Sequence, residues 1–191
     1  MTAPADPDRN YPALFLALDE VLEAFDQKGS MEEALRRSFE SSADGFGVEK
    51  ALLLVVEESA PWRLRALASR GLSEEETAAC ESGRSVPGVS SSCIREVLDK
   101  GVVVMVQDPE RLADERRSNA LRGRPYSVLC APICDPRTRL TLAVLYFQNQ
   151  GVAAAFGEID RAWMEVYVRA VGRVVSSMGG AWRGPGEEAG P

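Results

Sequence analysis

Cys130 and Cys134 stand four residues apart in "YSVLCAPICD" (126–135), with Pro132 between them. The run reads as strand, which puts both thiols on one face with α-carbons about 13 Å apart at roughly 3.3 Å per residue. A disulfide spans no more than about 7 Å, so the two cannot bridge while the strand is intact. Nowhere do two cysteines form a C-x-x-C pair, and with it goes a thiolate metal cage. Cys130 is then either a small hydrophobe in the core or part of the wall of a pocket in the sheet. Pro132 has no N–H to give a ladder and belongs at an edge or a bulge. Cys80 and Cys93 differ, because both flank the polar stretch "GLSEEETAACESGRSVPGVS" (71–90). Exposed there, they could approach each other as a redox-responsive pair, and a helix start at Cys93 would favour its thiolate. The alternative is that both are incidental.

The chain has no histidine, which removes His-ligated zinc or haem and every Ser–His or Cys–His nucleophile. The carboxylate run "SEEET" (73–77) has no matched acid or base partner and reads as a solvated turn. No catalytic residue and no metal ligand is assigned. A formal charge of −7 argues against a nucleic-acid surface, which needs a clustered positive field. The one basic cluster, "RRSNALRGR" (116–124), is a solvated helix face or a holder of an anionic ligand. No apolar run approaches the roughly 20 residues of a membrane helix, and "MTAPADPDRN" lacks the features of a signal peptide. The expectation is a cytoplasmic protein with no membrane contact.

Residues 1–10 are expected to be disordered, and residues 179–191 to be a flexible tail or linker. From Tyr11 a helical period places Leu14, Leu18, Val21, Leu22 and Phe25 on one face, ending at Gly29. A second helix opens with a capping-box spacing at Ser30 and Glu33 and turns Met31, Leu35, Phe39 and Ala43 inward. "KALLLVVEE" (50–58) and "WRLRALASR" (62–70) form a hairpin. "SSSCIREVLDKG" (90–101) is a compact helix with a serine cap and Gly101 as its stop, followed by a strand at 102–106. Strands 126–134 and 139–148 pair through "CDPRT", and a last helix runs over 157–178. Strands grouped between helices predict an α+β fold: an antiparallel sheet with the N- and C-terminal helices on one face. Two long connections, 71–90 and 107–125, meet above strand 102–106 on the other face, and connections of that length tend to be functional.

The last helix confines its polar positions, Glu165, Arg169, Gly172, Arg173 and Ser176, to one narrow stripe. A surface helix needs only about a 100° apolar stripe to pack on its own sheet. The surplus predicts a homodimer through Trp163, Tyr167, Val171 and Val174, helped by Leu14 and Leu18 of the first helix. The alternative is that the first helix alone covers it.

The order of these elements, with "SSSCIREVLDKGVVVMVQDPE", "YSVLCAPICD", "LAVLYFQNQ" and "AFGEIDRAWMEVYVRA" in sequence, resembles a GAF domain over about residues 12–178. The resemblance is nearest to GAF modules of sigma-54-type transcription activators and sensor kinases, and Phe156 and Asp160 fill the pattern that opens the last helix. Asn149 followed by Gln150, and Asp160 by Arg161, depart from the signature of cyclic-nucleotide-binding members. The resemblance implies a non-enzymatic sensory domain of a bacterial signalling protein, with an output domain in the same polypeptide. It implies an unidentified small ligand on the sheet face away from the terminal helices. Mapped onto this chain, Ser92, Gln107, Asp108, Asn119, Tyr126 and Ser127 would contact it, beside Cys130. Two alternatives stand: a ligand-free dimerisation module, or a cysteine-based redox sensor or reductase, since one enzymatic GAF family uses loop cysteines in this region.

Overall fold

The computed structural model describes residues 10–26, 31–59, 62–82, 89–107, 126–150 and 155–177. Ten elements follow in order: α1 (Tyr11–Asp26), α2 (Met31–Gly45), β1 (Lys50–Ser59), β2 (Trp62–Arg70), α3 (Glu74–Glu81), α4 (Ser91–Lys100), β3 (Val104–Val106), β4 (Tyr126–Cys134), β5 (Thr141–Gln150) and α5 (Glu158–Ser177). The strands make one antiparallel sheet in the order β2-β1-β5-β4-β3. This is the α+β arrangement that the sequence predicts, and it explains why β1, β4 and β5 are apolar almost throughout. Successive side chains on a strand point to opposite faces, and both faces of these three are covered.

On one face Leu53, Leu129, Leu145 and Phe147 meet Leu14, Ala17 and Val21 of α1, Leu35 and Phe39 of α2, and Met164 and Val171 of α5. Phe147 lies 5.3 Å from Phe46 and 6.4 Å from Phe39, ring centre to ring centre. A polar link joins the three helices inside this layer: the Ser38 hydroxyl bonds the Ala17 carbonyl and lies 2.6 Å from the Tyr167 hydroxyl. On the other face Leu52, Leu54, Tyr126, Val128, Cys130, Val144 and Tyr146 are covered by α4, through Cys93, Ile94, Val97 and Leu98, and by Cys80 of α3.

Several expectations need correction. Leu22 is 44 % exposed; the buried stripe of α1 runs through Leu14, Ala17 and Val21 instead. The carboxylates of "SEEET" are not a solvated turn but the first turn of α3. There the Ser73 hydroxyl accepts from the Glu76 N–H (3.2 Å) and the Glu76 carboxylate from the Ser73 N–H (2.7 Å), two otherwise unbonded donors satisfied reciprocally. Glu76 also meets the Lys50 ammonium at 2.9 Å, and Glu81 accepts the Ala66 N–H at 2.6 Å, so α3 is tied to the sheet by its acids. The strand at 102–106 shortens to Val104–Val106. In its register, Val104 opposite Cys130, two residues further back Val102 would face Pro132, which has no N–H.

Gly172 belongs to no solvated stripe. It is buried where α5 crosses β4, and a Cβ there would lie 2.3 Å from the Cys134 carbonyl oxygen. Gly101 closes α4 in the left-handed conformation at φ 63°, as the sequence predicts. Gly29 and Ser30, the side chains of Phe25 and Met31, and the terminal segments 1–9 and 178–191 lie outside the described residues.

Candidate functional site

The sheet face under α4 is where chemistry collects. Tyr146 and Gln148 alternate on β5 toward it and are both fully buried. The Tyr146 hydroxyl donates to the Gln148 side-chain carbonyl and accepts the Ser90 N–H at 2.9 Å. The Ser90 hydroxyl in turn reaches the Cys93 sulfur at 3.1 Å and the Ser92 hydroxyl at 3.0 Å. Ser90 precedes α4 without capping it through its side chain, which frees that hydroxyl for the two contacts. Cys130 sits opposite Tyr146 in the β4–β5 register. One connected line of polar groups thus crosses a layer that is otherwise aliphatic and aromatic.

Burial dominates the electrostatics of this layer, because removing a thiolate or phenolate from water costs more than its neighbours return. It pushes the Tyr146 phenol well above its ordinary range, against the Ser90 N–H, which acts the other way. Burial, then the neighbouring Cys93, does the same to the Cys130 thiol. Cys80 is raised to about 11 by burial, with Glu76 adding to the shift.

Cys80 and Cys93, expected at an exposed loop, are each only 5 % exposed and sit on separate helices. All four cysteines are free, and Cys134 alone is not fully buried. A disulfide reagent at mildly alkaline pH should therefore label one thiol, Cys134, in a fast phase, and the other three only at the rate of unfolding. Fast modification of Cys93 or Cys80 in the folded chain would show that the layer opens.

The predicted ligand residues divide. Ser92, Tyr126 and Cys130 share the α4 face. Ser127 does not: it has the strand parity of Leu129 and Ala131, so it points to the helical layer, where its buried hydroxyl finds no hydrogen-bond partner among the described residues. Gln107 is committed elsewhere, donating its amide to the Phe156 carbonyl at 3.0 Å and clasping the end of β3 to the segment before α5. Asp108 and Asn119 lie outside the described residues. Ser90, Tyr146 and Gln148 are not among the ligand residues that the resemblance implies. Their signal was a polar side chain at every second position of "YFQ", on the face shared with Cys130.

The predicted interface residues are corrected too. Leu14, Tyr167, Val171 and Val174 are all buried within the protomer, Tyr167 held by Ser38, and Leu18 is half-buried. On these two helices the large apolar side chains left in solvent are Phe15, Leu16 and Leu22 on α1 and Ile159 and Val166 on α5. Trp163 joins the two sets, meeting Phe15 edge to face at 4.8 Å.

A five-stranded antiparallel sheet between a helical layer and a second face closed by short helices defines a three-layer α+β domain. The chain belongs to the GAF domain family, which it matches over residues 30–175. No curated protein matches it. Solved structures share the fold. The GAF domain of nlh2 from A. aeolicus in an inactive state is 13 % identical, with TM-score 0.59 over 89 % of this chain and 99 % of that one. A methyl-accepting chemotaxis protein fragment, residues 122 to 287, is 16 % identical, with TM-score 0.59 over 87 % and 98 %. The free methionine-R-sulfoxide reductase from Neisseria meningitidis, solved with its substrate, is 17 % identical, with TM-score 0.64 over 93 % and 97 %. At these identities the likeness speaks for the fold. Among the described residues, no helix is long and apolar enough to cross a membrane, and no three Cys, Asp or Glu side chains gather as a metal site.

Proposed function

We propose that this GAF domain is a cytoplasmic regulatory module of a bacterial signalling protein, binding a small ligand on the α4 face and pairing with a second copy. The observation that carries the ligand is the line Ser90–Tyr146–Gln148. Polar groups sequestered in an apolar layer gain little for stability even when bonded, whereas a pocket needs a few fixed polar groups in apolar walls. The partner surface is the patch from Phe15 and Leu16 across Trp163 to Ile159 and Val166, beside a groove of about 450 Å³ between Ile159, Ala162 and Val166. An output domain following α5 in the same polypeptide, such as a sigma-54-type activator's, would receive the signal through that helix.

A second reading is a pairing module without a ligand. It is favoured by Tyr126, Tyr146, Val128 and Val144, which already fill the layer among the described residues. Thiol chemistry like that of the reductase is disfavoured by the burial that raises Cys80 and Cys130. Native mass spectrometry of freshly purified protein tests both readings. A dimer carrying a releasable small molecule, lost in Tyr146→Phe, supports the sensor; a bare dimer supports the second reading. Val166→Glu should weaken pairing about a hundredfold or more, since it would bury a charge. A wild-type monomer at high micromolar concentration overturns the pairing in either case.

A further inference from the structure

A second groove, on the other side of the sheet, belongs to neither reading. About 580 Å³ lies between the β4–β5 turn, the residues before β3 and the outer face of α5. Its charged lining is four arginines, Arg139, Arg161, Arg169 and Arg173, against one carboxylate, Glu165. Glu165 pairs with Arg161 at 3.2 Å. Arg139, Arg169 and Arg173 are exposed and have no ion-pair partner among the described residues. In a chain of net charge −7, three unpaired guanidinium groups around one hollow run against the general composition.

The scaffold holding them is stiff. Gly172 lets α5 press against the Cys134 carbonyl, which brings Arg169 and Arg173 over the end of β4. The turn is fixed by the Asp135 carboxylate, which accepts the N–H groups of Arg137 (2.7 Å) and Thr138 (3.0 Å), and by the Arg139 N–H to the Asp135 carbonyl (2.9 Å). Arg139 itself adopts φ 65°, the only non-glycine residue at positive φ among the described residues. Glycine would hold that conformation without strain, so the turn's own geometry gives no reason for a long cation there. A guanidinium presents paired N–H donors to phosphate oxygens, and three of them suit a ligand with several such oxygens.

We propose that this groove binds a compact multivalent anion, a phosphate-bearing small molecule, bridging the β4–β5 turn to α5. The bridge would fix the helix that leads out of the domain.

Calorimetric titration of the purified chain with inorganic tripolyphosphate at low ionic strength tests this, with hexaglutamate as a second arm. The expected result is saturable binding at one site, weakened about tenfold or more by Arg169→Gln or Arg173→Gln. Arg95→Gln, exposed on α4 across the sheet, should leave it unchanged. Arg139→Gly separates a binding role from a structural one: the midpoint of thermal unfolding should rise while tripolyphosphate affinity falls. No saturable binding overturns the proposal, as does binding indifferent to the groove substitutions. Preference for hexaglutamate overturns it in favour of an acidic peptide.

Discussion

Between pH 10 and pH 12 the domain is expected to unfold cooperatively, with tyrosinate absorption appearing as helical circular dichroism is lost. Burial raises Tyr167 to about 12, and lifts Tyr146 and Cys130 well above their ordinary values of 10.0 and 9.0. A group whose folded pKa is raised contributes stability in full below its unfolded pKa. The contribution is lost as pH climbs toward the folded value. Each such group removes about 1.4 kcal/mol per pH unit in that window. Three together remove roughly 4 kcal/mol per unit above pH 10, so about 8 kcal/mol is gone within about two units, comparable to a typical stability of roughly 5–15 kcal/mol. Cys80, raised to about 11, acts in the same direction. Absorption and circular dichroism followed on one titration decide the matter. Tyr146 and Tyr167 ionising while the dichroism stays native would mean that the two layers admit water.

Gly172→Ala is expected to destabilise the fold by about 1–3 kcal/mol, and Gly172→Val by more. The sign is what makes the test sharp. In the interior of a helix, glycine to alanine ordinarily gains about 1 kcal/mol. Here the new methyl would stand 2.3 Å from the Cys134 carbonyl oxygen, an atom of the β4 backbone that cannot swing aside. Either α5 lifts from the sheet or β4 bends, and Val171 and Met164, both fully buried, lose contacts. Urea denaturation of the two variants would measure the loss. An unchanged or higher midpoint would show that α5 does not approach β4 so closely.

How far the sequence can be read follows from what periodicity carries. Strand alternation and helix caps are local, so the two hairpins, the Gly101 stop and the helix–sheet layering are all legible in the sequence. Packing between distant elements is not local. Gly172 looked polar because glycine scores with neither side, and only the crossing with β4 gives it a reason. Tyr167 looked like surplus apolar surface because its partner, Ser38, is 129 positions away. The same blindness hid the ligand-face network: Ser90 and Tyr146 are 56 residues apart. Ser127 was misplaced for a simpler reason. Adjacent strand residues face opposite ways, so it cannot share a face with Tyr126.

The two margins of the sheet have a consequence for the chain under stress. A bare strand margin is a template on which unfolded copies add and fibrils grow. β2 is kinked against β1 by register shifts between Leu53 and Leu54 and between Val56 and Glu58, and it carries Arg63, Arg65 and Arg70. One of its donors, the Ala66 N–H, is already taken by the Glu81 carboxylate. At the opposite margin β3 offers three residues and stops where Pro132 stops it. Among the described residues, neither side presents a long, flat, unsatisfied ladder. Heat-damaged or newly made chains therefore gain little by adding strands, and amyloid-like growth from the folded domain is blocked at both ends.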